Sequence, residues 1–169
     1  MDVPTDWNDV YRRSWTDVVR FLYRKVWDTE RARDLAQDAF VKCLDRDPEN
    51  PRALLFTVAA NLARDEARTV IRRRKHLTLI AGGALEAAAT DPAQELDDRE
   101  QLAAVQNALS QLSERDREVL LLWDAGLNYQ EIAAQTGLAA GAVGTTLARA
   151  RRRLVEAHAA LEGRRHATH

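Results

Sequence analysis

The chain has 169 residues, 46% of them hydrophobic and 30% charged, with 25 basic and 26 acidic side chains and a formal net charge of −1. That length holds one domain or two small ones, and no apolar run approaches the ~20 residues of a membrane span. The single cysteine, Cys43, excludes an internal disulfide and a cysteine-rich zinc site.

The opening "MDVPTDWNDVYRR" lacks the basic-then-apolar pattern of a secretory leader, so a cytoplasmic protein is expected. From Trp7 onward, Val10, Tyr11, Trp15, Val18, Leu22 and Val26 recur at three- and four-residue steps, one face of a first helix. Asp28 and Thr29 offer a cap for a second, carrying Ala32, Leu35, Ala36, Ala39, Phe40, Cys43 and Leu44. After the polar loop "LDRDPENP", Asn50 stands before Pro51 as a cap and first-turn pair. The third helix then runs through Leu54, Leu55, Val58, Leu62 and Ala67 to "RRRK". On it Asn61, Arg64, Arg68, Arg72 and Lys75 share one face, with Arg73 and Arg74 beside them. A basic stripe headed by an amide suits a nucleic-acid backbone plus a base edge.

Residues 76–100 change character. They hold a Gly-Gly pair, a proline and a cluster of carboxylates, and read as a flexible acidic linker with a nascent helix around Leu85–Ala89. Charge follows these divisions. Residues 1–75 carry 16 basic and 13 acidic side chains, residues 76–100 carry 1 and 6, and residues 101–169 carry 8 and 7. The hidden segregation predicts three pieces: 1–75, 76–100 and 101–169.

Helical order resumes with Leu102, Val105, Leu109 and Leu112 on one stripe. Ser113 with Asp116 reads as a capping-box variant, and Asn128 with Glu131 as a better one; Gly126 and Gly137 close the helices behind them. A helix-turn-helix needs a small residue at the crossing, a glycine in the turn and an apolar wedge on the second helix. Ala133, Gly137 and Val143 meet those demands in order. Beyond the wedge, Arg149, Arg151, Arg152 and Arg153 crowd the final helix, as a phosphate-binding surface requires. The expectation is therefore all-α: two small helical domains joined by an acidic linker, the second containing a helix-turn-helix.

In this order, the motifs resemble those of bacterial sigma factors of the extracytoplasmic-function group. "DLAQDAFVKCL" is similar to that family's polymerase-binding helix, with Asp34, Gln37, Asp38, Phe40 and Lys42 at the pattern positions. "NPRALLFTVAANLARDEARTVIRRRK" resembles its promoter-melting and minus-ten-reading segment, and residues 108–154 its helix-turn-helix domain for the minus-thirty-five element. The resemblance implies a transcription initiation factor with no catalytic site, cofactor, metal or small-molecule substrate. Its partners would be core RNA polymerase, promoter DNA and an anti-sigma factor, often membrane-anchored. It implies that Asn61 holds an unpaired base of the opened minus-ten element, while Arg64, Arg68, Arg72, Arg73, Arg74 and Lys75 track the backbone. Thr145, Thr146 and Arg149 would read the minus-thirty-five element, with Arg152 and Arg153 on phosphates. By the same resemblance, polymerase would hold the acidic linker in a basic channel.

The sequence departs from the family at several positions. Leu54 stands where tryptophan is common, Phe56 where an aromatic hydroxyl is, and Ala60 where arginine is. Ala139 replaces a serine cap, and Gly144 a lysine. A missing cap and a mid-helix glycine each cost about 1 kcal/mol, which predicts weak DNA binding by the isolated C-terminal domain. The rival readings are a free-standing helix-turn-helix regulator and a helical adaptor. The first would need a ligand pocket or dimer interface in residues 1–75, and the segregated charge speaks against the second. An enzyme is the least favoured, because His76, His158, His166 and His169 are scattered.

Overall fold

The computed structural model describes residues 3–81 and 94–168, apart from the side chains of Arg74, residues 76–81 and residues 94–97. All regular structure among these residues is helical. Contacts group the chain into two compact units, Met1–Gly83 with Asp124–Glu131, and Ala84–Trp123 with Ile132–His169.

In the first unit, helices α1 (Trp7–Val26), α2 (Thr29–Cys43) and α3 (Pro51–Ala81) pack on one another. Each start is capped. Asp6 accepts from the N–H groups of Asn8 and Asp9, Asp28 from that of Arg31, and Asn50 from that of Ala53 at 3.0 Å. These side chains satisfy donors that the first turn of a helix leaves open, at about 1 kcal/mol each. Trp27 ends α1 in the left-handed conformation (φ 57°), unusual for a residue with a Cβ. Its N–H donates to the Tyr23 carbonyl at 2.7 Å, and its ring meets the Tyr23 ring edge-on, so packing offsets the strain of a two-residue connection. Phe21, Leu22, Leu55 and Phe56 fill the centre, while Ala32, Ala36, Ala39, Ala59 and Ala63 let the helix backbones approach.

Two departures from the family acquire a physical reason here. Ala60 is 3% exposed, where an arginine would have to carry its charge out of the core to reach water. Phe56 is fully buried with its ring 5.5 Å from Phe21, where a tyrosine hydroxyl would need a partner.

The second unit contains α4 (Gln94–Ser110), α5 (Glu114–Asp124) and α7 (Ala140–Ala167), with α4 packed on α7; α6 (Tyr129–Thr136) is the short helix before α7. Ala108, Leu109, Leu112, Val119, Leu122, Ile132, Val143, Leu147 and Ala150 form its core. The Asn128–Glu131 capping box forms reciprocally, with Glu131 N–H donating to Asn128 Oδ1 at 2.9 Å and Asn128 N–H to Glu131 Oε1 at 3.1 Å.

Helix enters the segment expected as a linker at both ends. Helix α3 runs to Ala81 and α4 begins at Gln94, so helical structure occupies part of residues 76–100. Residues 76–81, "HLTLIA", contain no proline or glycine to stop α3, and Pro92 stands just before α4, where a helix start tolerates it. The expected nascent helix at Leu85–Ala89 lies outside the described residues.

Candidate nucleic-acid interface

The second helix presents a mixed face. Asp34, Gln37, Asp38 and Lys42 are exposed, and Val41, between them at helical spacing, is 65% exposed. Phe40 turns the other way. It is 6% exposed and lies 5.0 Å from the Tyr11 ring and 6.0 Å from that of Trp15, so it belongs to an aromatic cluster with α1. Its part in any docking is to hold α2 against α1, and the outward apolar groups here are Val41 and, at the helix end, Leu44. Sequence reading missed Val41, although its step from Asp34, Gln37 and Asp38 was the available signal.

On α3, Asn61, Arg64, Arg68, Arg72 and Lys75 are all exposed on one face, opposite the buried Leu55, Ala59 and Ala63. Arg64 Nη1 donates to Asn61 Oδ1 at 3.1 Å, which commits that oxygen and keeps the amide N–H donors for another acceptor. Arg73 is exposed but lies off the stripe, at the seven-residue step from Glu66 that puts the two on the same side of the helix. Glu66 is gripped by Arg31 of α2 through two bonds of 2.6 Å. The hydrogen bonds from Arg31, with its charge and that of Arg73, hold the Glu66 carboxyl below its ordinary range. Of the two carboxylates inside the basic segment, Glu66 is therefore neutralised from α2. The side chain of Arg74 lies outside the described residues.

The turn between α6 and α7 has the left-handed backbone that its glycine allows. Gly137 adopts φ 74° and its N–H donates to the Ala133 carbonyl at 2.9 Å, while Val143 is fully buried. Ala133 is half-buried. Helix α7 starts at Ala139 in extended conformation with no side-chain cap bond, as the missing serine predicts. Thr146 is 5% exposed and falls within the run of buried α7 residues Val143, Leu147 and Ala150, so its side chain belongs to the core and not to the outer face. The expectation that Thr146 meets a base is corrected on that ground. Thr145, Ala148 and Arg152 point outward instead.

Arg149 and Arg153 stand on the flank of that face, and both reach Asp116 on α5. Arg149 donates through Nη2 to Oδ1 at 2.8 Å and through Nε to Oδ2 at 3.4 Å, and Arg153 through Nη1 to Oδ2 at 3.1 Å. The Asp116 side chain is fully buried, whereas those of Arg149 and Arg153 are 41% and 52% exposed. Hydrogen bonding from Arg149, together with both positive charges, holds the Asp116 carboxyl below its ordinary value. The Asp116 N–H donates to Ser113 Oγ at 3.1 Å, so the cap expected there does form. Its carboxylate, however, binds arginines 33 and 37 residues away, which no local pattern announces. Nearby, the Arg151 guanidinium lies 5.5 Å over the Trp123 ring.

Two family descriptions match this chain: Sigma-70 region 2 over residues 10–74, and Sigma-70, region 4 over residues 102–154. The chain belongs to the sigma-70 family. Within it, the chain falls in the extracytoplasmic-function group of alternative RNA polymerase sigma factors. It is 30% identical to the RNA polymerase sigma factor YlaC of Bacillus subtilis (strain 168) over 149 residues, covering 85% of this chain and 86% of the relative. It is 28% identical to the ECF RNA polymerase sigma factor SigM of the same organism, covering 87% and 91%. Among solved structures it resembles the sigma factor RpoE, in complex with the anti-sigma factor NepR from Bartonella quintana. There the TM-score is 0.60 at 28% identity, over 90% of this chain and 96% of that one. CnrH, in complex with the cytosolic domain of CnrY, gives 0.64 at 26% identity, over 93% and 88%. In this sigma factor the region 2 match takes in α2 and most of α1 and α3, and the region 4 match ends at Leu154, midway along α7. No helix among the described residues is long and apolar enough to cross a membrane, and none of their His, Cys, Asp and Glu side chains gather in threes as a metal site.

Proposed function

We propose that this sigma factor docks on core RNA polymerase through the α2 face formed by Asp34, Gln37, Asp38, Val41 and Lys42. It opens and reads the minus-ten element with α3, and reads the minus-thirty-five element with α7. The observation that carries this reading is the division of α3: one face is core, and the other aligns an amide with exposed cations over some four turns. Such a surface suits an opened strand, with Arg64, Arg68, Arg72 and Lys75 on phosphates and the Asn61 amide against a base edge. Unstacking that base costs a few kcal/mol, which stacking and edge hydrogen bonds offset. On α7, Thr145 and Arg149 face bases, with Arg152 and Arg153 on phosphates. The factor supplies recognition and melting and no bond-making chemistry of its own, and it works in the cytoplasm with the polymerase. An anti-sigma factor, membrane-anchored in many systems of this kind, controls it; support comes from RpoE of Bartonella quintana, solved with NepR.

Run-off transcription with bacterial core polymerase over a promoter library tests the proposal. The wild-type chain should drive initiation from promoters sharing two separated motifs. Val41→Glu should weaken core binding without lowering the melting temperature, since the residue is exposed. Absence of core binding by the wild type would overturn the reading.

A further inference from the structure

Asp116 is a buried carboxylate on α5, beside Ser113, whose two arginine partners stand at the edge of the exposed face of α7. A carboxylate removed from water is stable only when charged donors surround it, and here two guanidiniums do so from one side. The arrangement fixes directions as well as charge. A guanidinium is a rigid planar fork, so when Nε and Nη2 of Arg149 are committed to one carboxylate, the N–H groups that remain have a set heading. Arg153 is committed through Nη1 alone, which leaves its remaining donors to turn towards a phosphate. Long side chains otherwise lose much rotamer freedom on reaching a base, a cost that prior fixation removes.

We propose that Asp116 is a positioning residue for promoter reading: by clasping Arg149 and Arg153 from α5, it aims α7's arginines at the minus-thirty-five element without touching DNA. The inference rests on α7 being the reader of that element. It assigns discrimination at one or two base pairs to a residue outside the helix that enters the groove. Base contacts by a fixed Arg149 carry sequence information, whereas the same charge left free would add only sequence-independent attraction.

The test is selection of initiating promoters from a library randomised in both elements, by holoenzyme reconstituted from core polymerase and the full chain. Wild type, Asp116→Asn and Val119→Ala are compared. Asn matches Asp in shape, and Val119→Ala weakens the same helix from its core side without touching the clasp. The expected result is that Asp116→Asn lowers enrichment about tenfold at one or two adjacent upstream positions and keeps the minus-ten motif intact. Val119→Ala, whatever it does to the melting temperature, should keep both motifs. Equal flattening by Val119→Ala would trace the loss to stability and overturn the proposal. An unchanged upstream motif in Asp116→Asn would overturn it alone. A wild type that enriches a minus-ten motif and no upstream motif would overturn the α7 reading, and this inference with it. Tighter, less selective binding by Asp116→Asn, with a steeper salt dependence, would show a carboxylate that masks the arginines, also against the proposal.

Discussion

The basic segments of α3 and α7 look alike as strings of arginine, yet the two differ in their counter-charges. On α3 the stripe stands in water: Arg64 donates to the Asn61 amide oxygen, and Arg68 lies 3.9 Å from an Asp65 that is itself exposed. On α7 the carboxylate is buried and two arginines converge on it. Exposed pairs of the first kind are worth little and leave the cations free to follow a flexible strand. A buried carboxylate of the second kind fixes geometry, which suits contacts that must distinguish bases. Identical residue types thus acquire different work from the acid opposite them.

The comparison breaks most visibly if the α3 stripe is stripped. Arg64→Ala, Arg68→Ala and Arg72→Ala together should reduce the salt slope of single-stranded minus-ten binding by roughly 2, at about 0.7 per lost phosphate contact. Affinity at moderate salt should fall by about a hundredfold or more, with no fall in melting temperature, because all three side chains are exposed. Filter binding over a salt series reads both quantities. A loss independent of salt would mean that these arginines do something other than neutralise phosphates.

The clasp on α7 should respond to pH where the stripe does not. Asp116 titrates lower in the folded chain than in the unfolded one, so its contribution is complete above the ordinary carboxylate value of about 4. That contribution disappears as pH falls through the depressed folded-state value. Asp116→Asn should therefore be less stable than wild type at pH 7, by roughly 1–3 kcal/mol after allowing for the half-exposed arginines, and the gap should close in strong acid. Urea denaturation at a series of pH values measures it. A gap that widened on acidification would reverse the sign and refute the assignment.

A smaller effect is expected at the contact between α2 and α3. Arg31→Ala leaves the Glu66 carboxylate, 18% exposed, without its two 2.6 Å bonds, and should cost about 1 kcal/mol. For a unit of this size that corresponds to a drop of roughly 4–8 °C in melting temperature. Glu66 would then turn its charge on Arg73, so a modest loss of DNA affinity should accompany the drop, and differential scanning calorimetry paired with filter binding would show whether the two travel together.

How far these features could be read in advance depended on their range. Caps at Asp28, Asn50, Ser113 and Asn128 were legible because a helix start is decided within four residues. Gly137 and Val143 were legible because a tight turn has few solutions. The stripe from Asn61 to Lys75 followed from helical spacing alone. What escaped was whatever depended on a distant partner. The inward turn of Thr146 depends on which side of α7 meets its core, and spacing from Val143, Leu147 and Ala150 could have decided that before any family pattern was applied. Spacing had already put Phe40 on the apolar face of α2, but its ring partners Tyr11 and Trp15 follow only from the packing of α1 on α2. The Asp116 clasp and the Arg31–Glu66 pair join residues more than thirty positions apart, and arginine and carboxylate are too common for composition to match them. The helix ends that flank the linker were hard to place, because carboxylates and small residues are as compatible with exposed helix as with coil.

The finest adjustment lies at the start of α7. Ala139 occupies the cap position with φ −65° and ψ 142°, the extended geometry a capping residue adopts, but it has no oxygen to offer the first-turn N–H groups. Ala139→Ser should supply that acceptor and stabilise the helix by about 0.5–1 kcal/mol, without altering any arginine. Because a firmer first turn steadies Thr145 and Arg149 together, binding of upstream promoter DNA should tighten by roughly two- to fivefold, with the salt slope unchanged. An increase in slope would instead mean that the new hydroxyl had brought further phosphate contacts into play. Fluorescence anisotropy with a duplex carrying the selected upstream motif, repeated over a salt series, separates the two. The α3 stripe, which has no part in this cap, should bind single strands as before. Tightening of both sites would erase the distinction between a surface that works by loose charge and one that works by fixed direction.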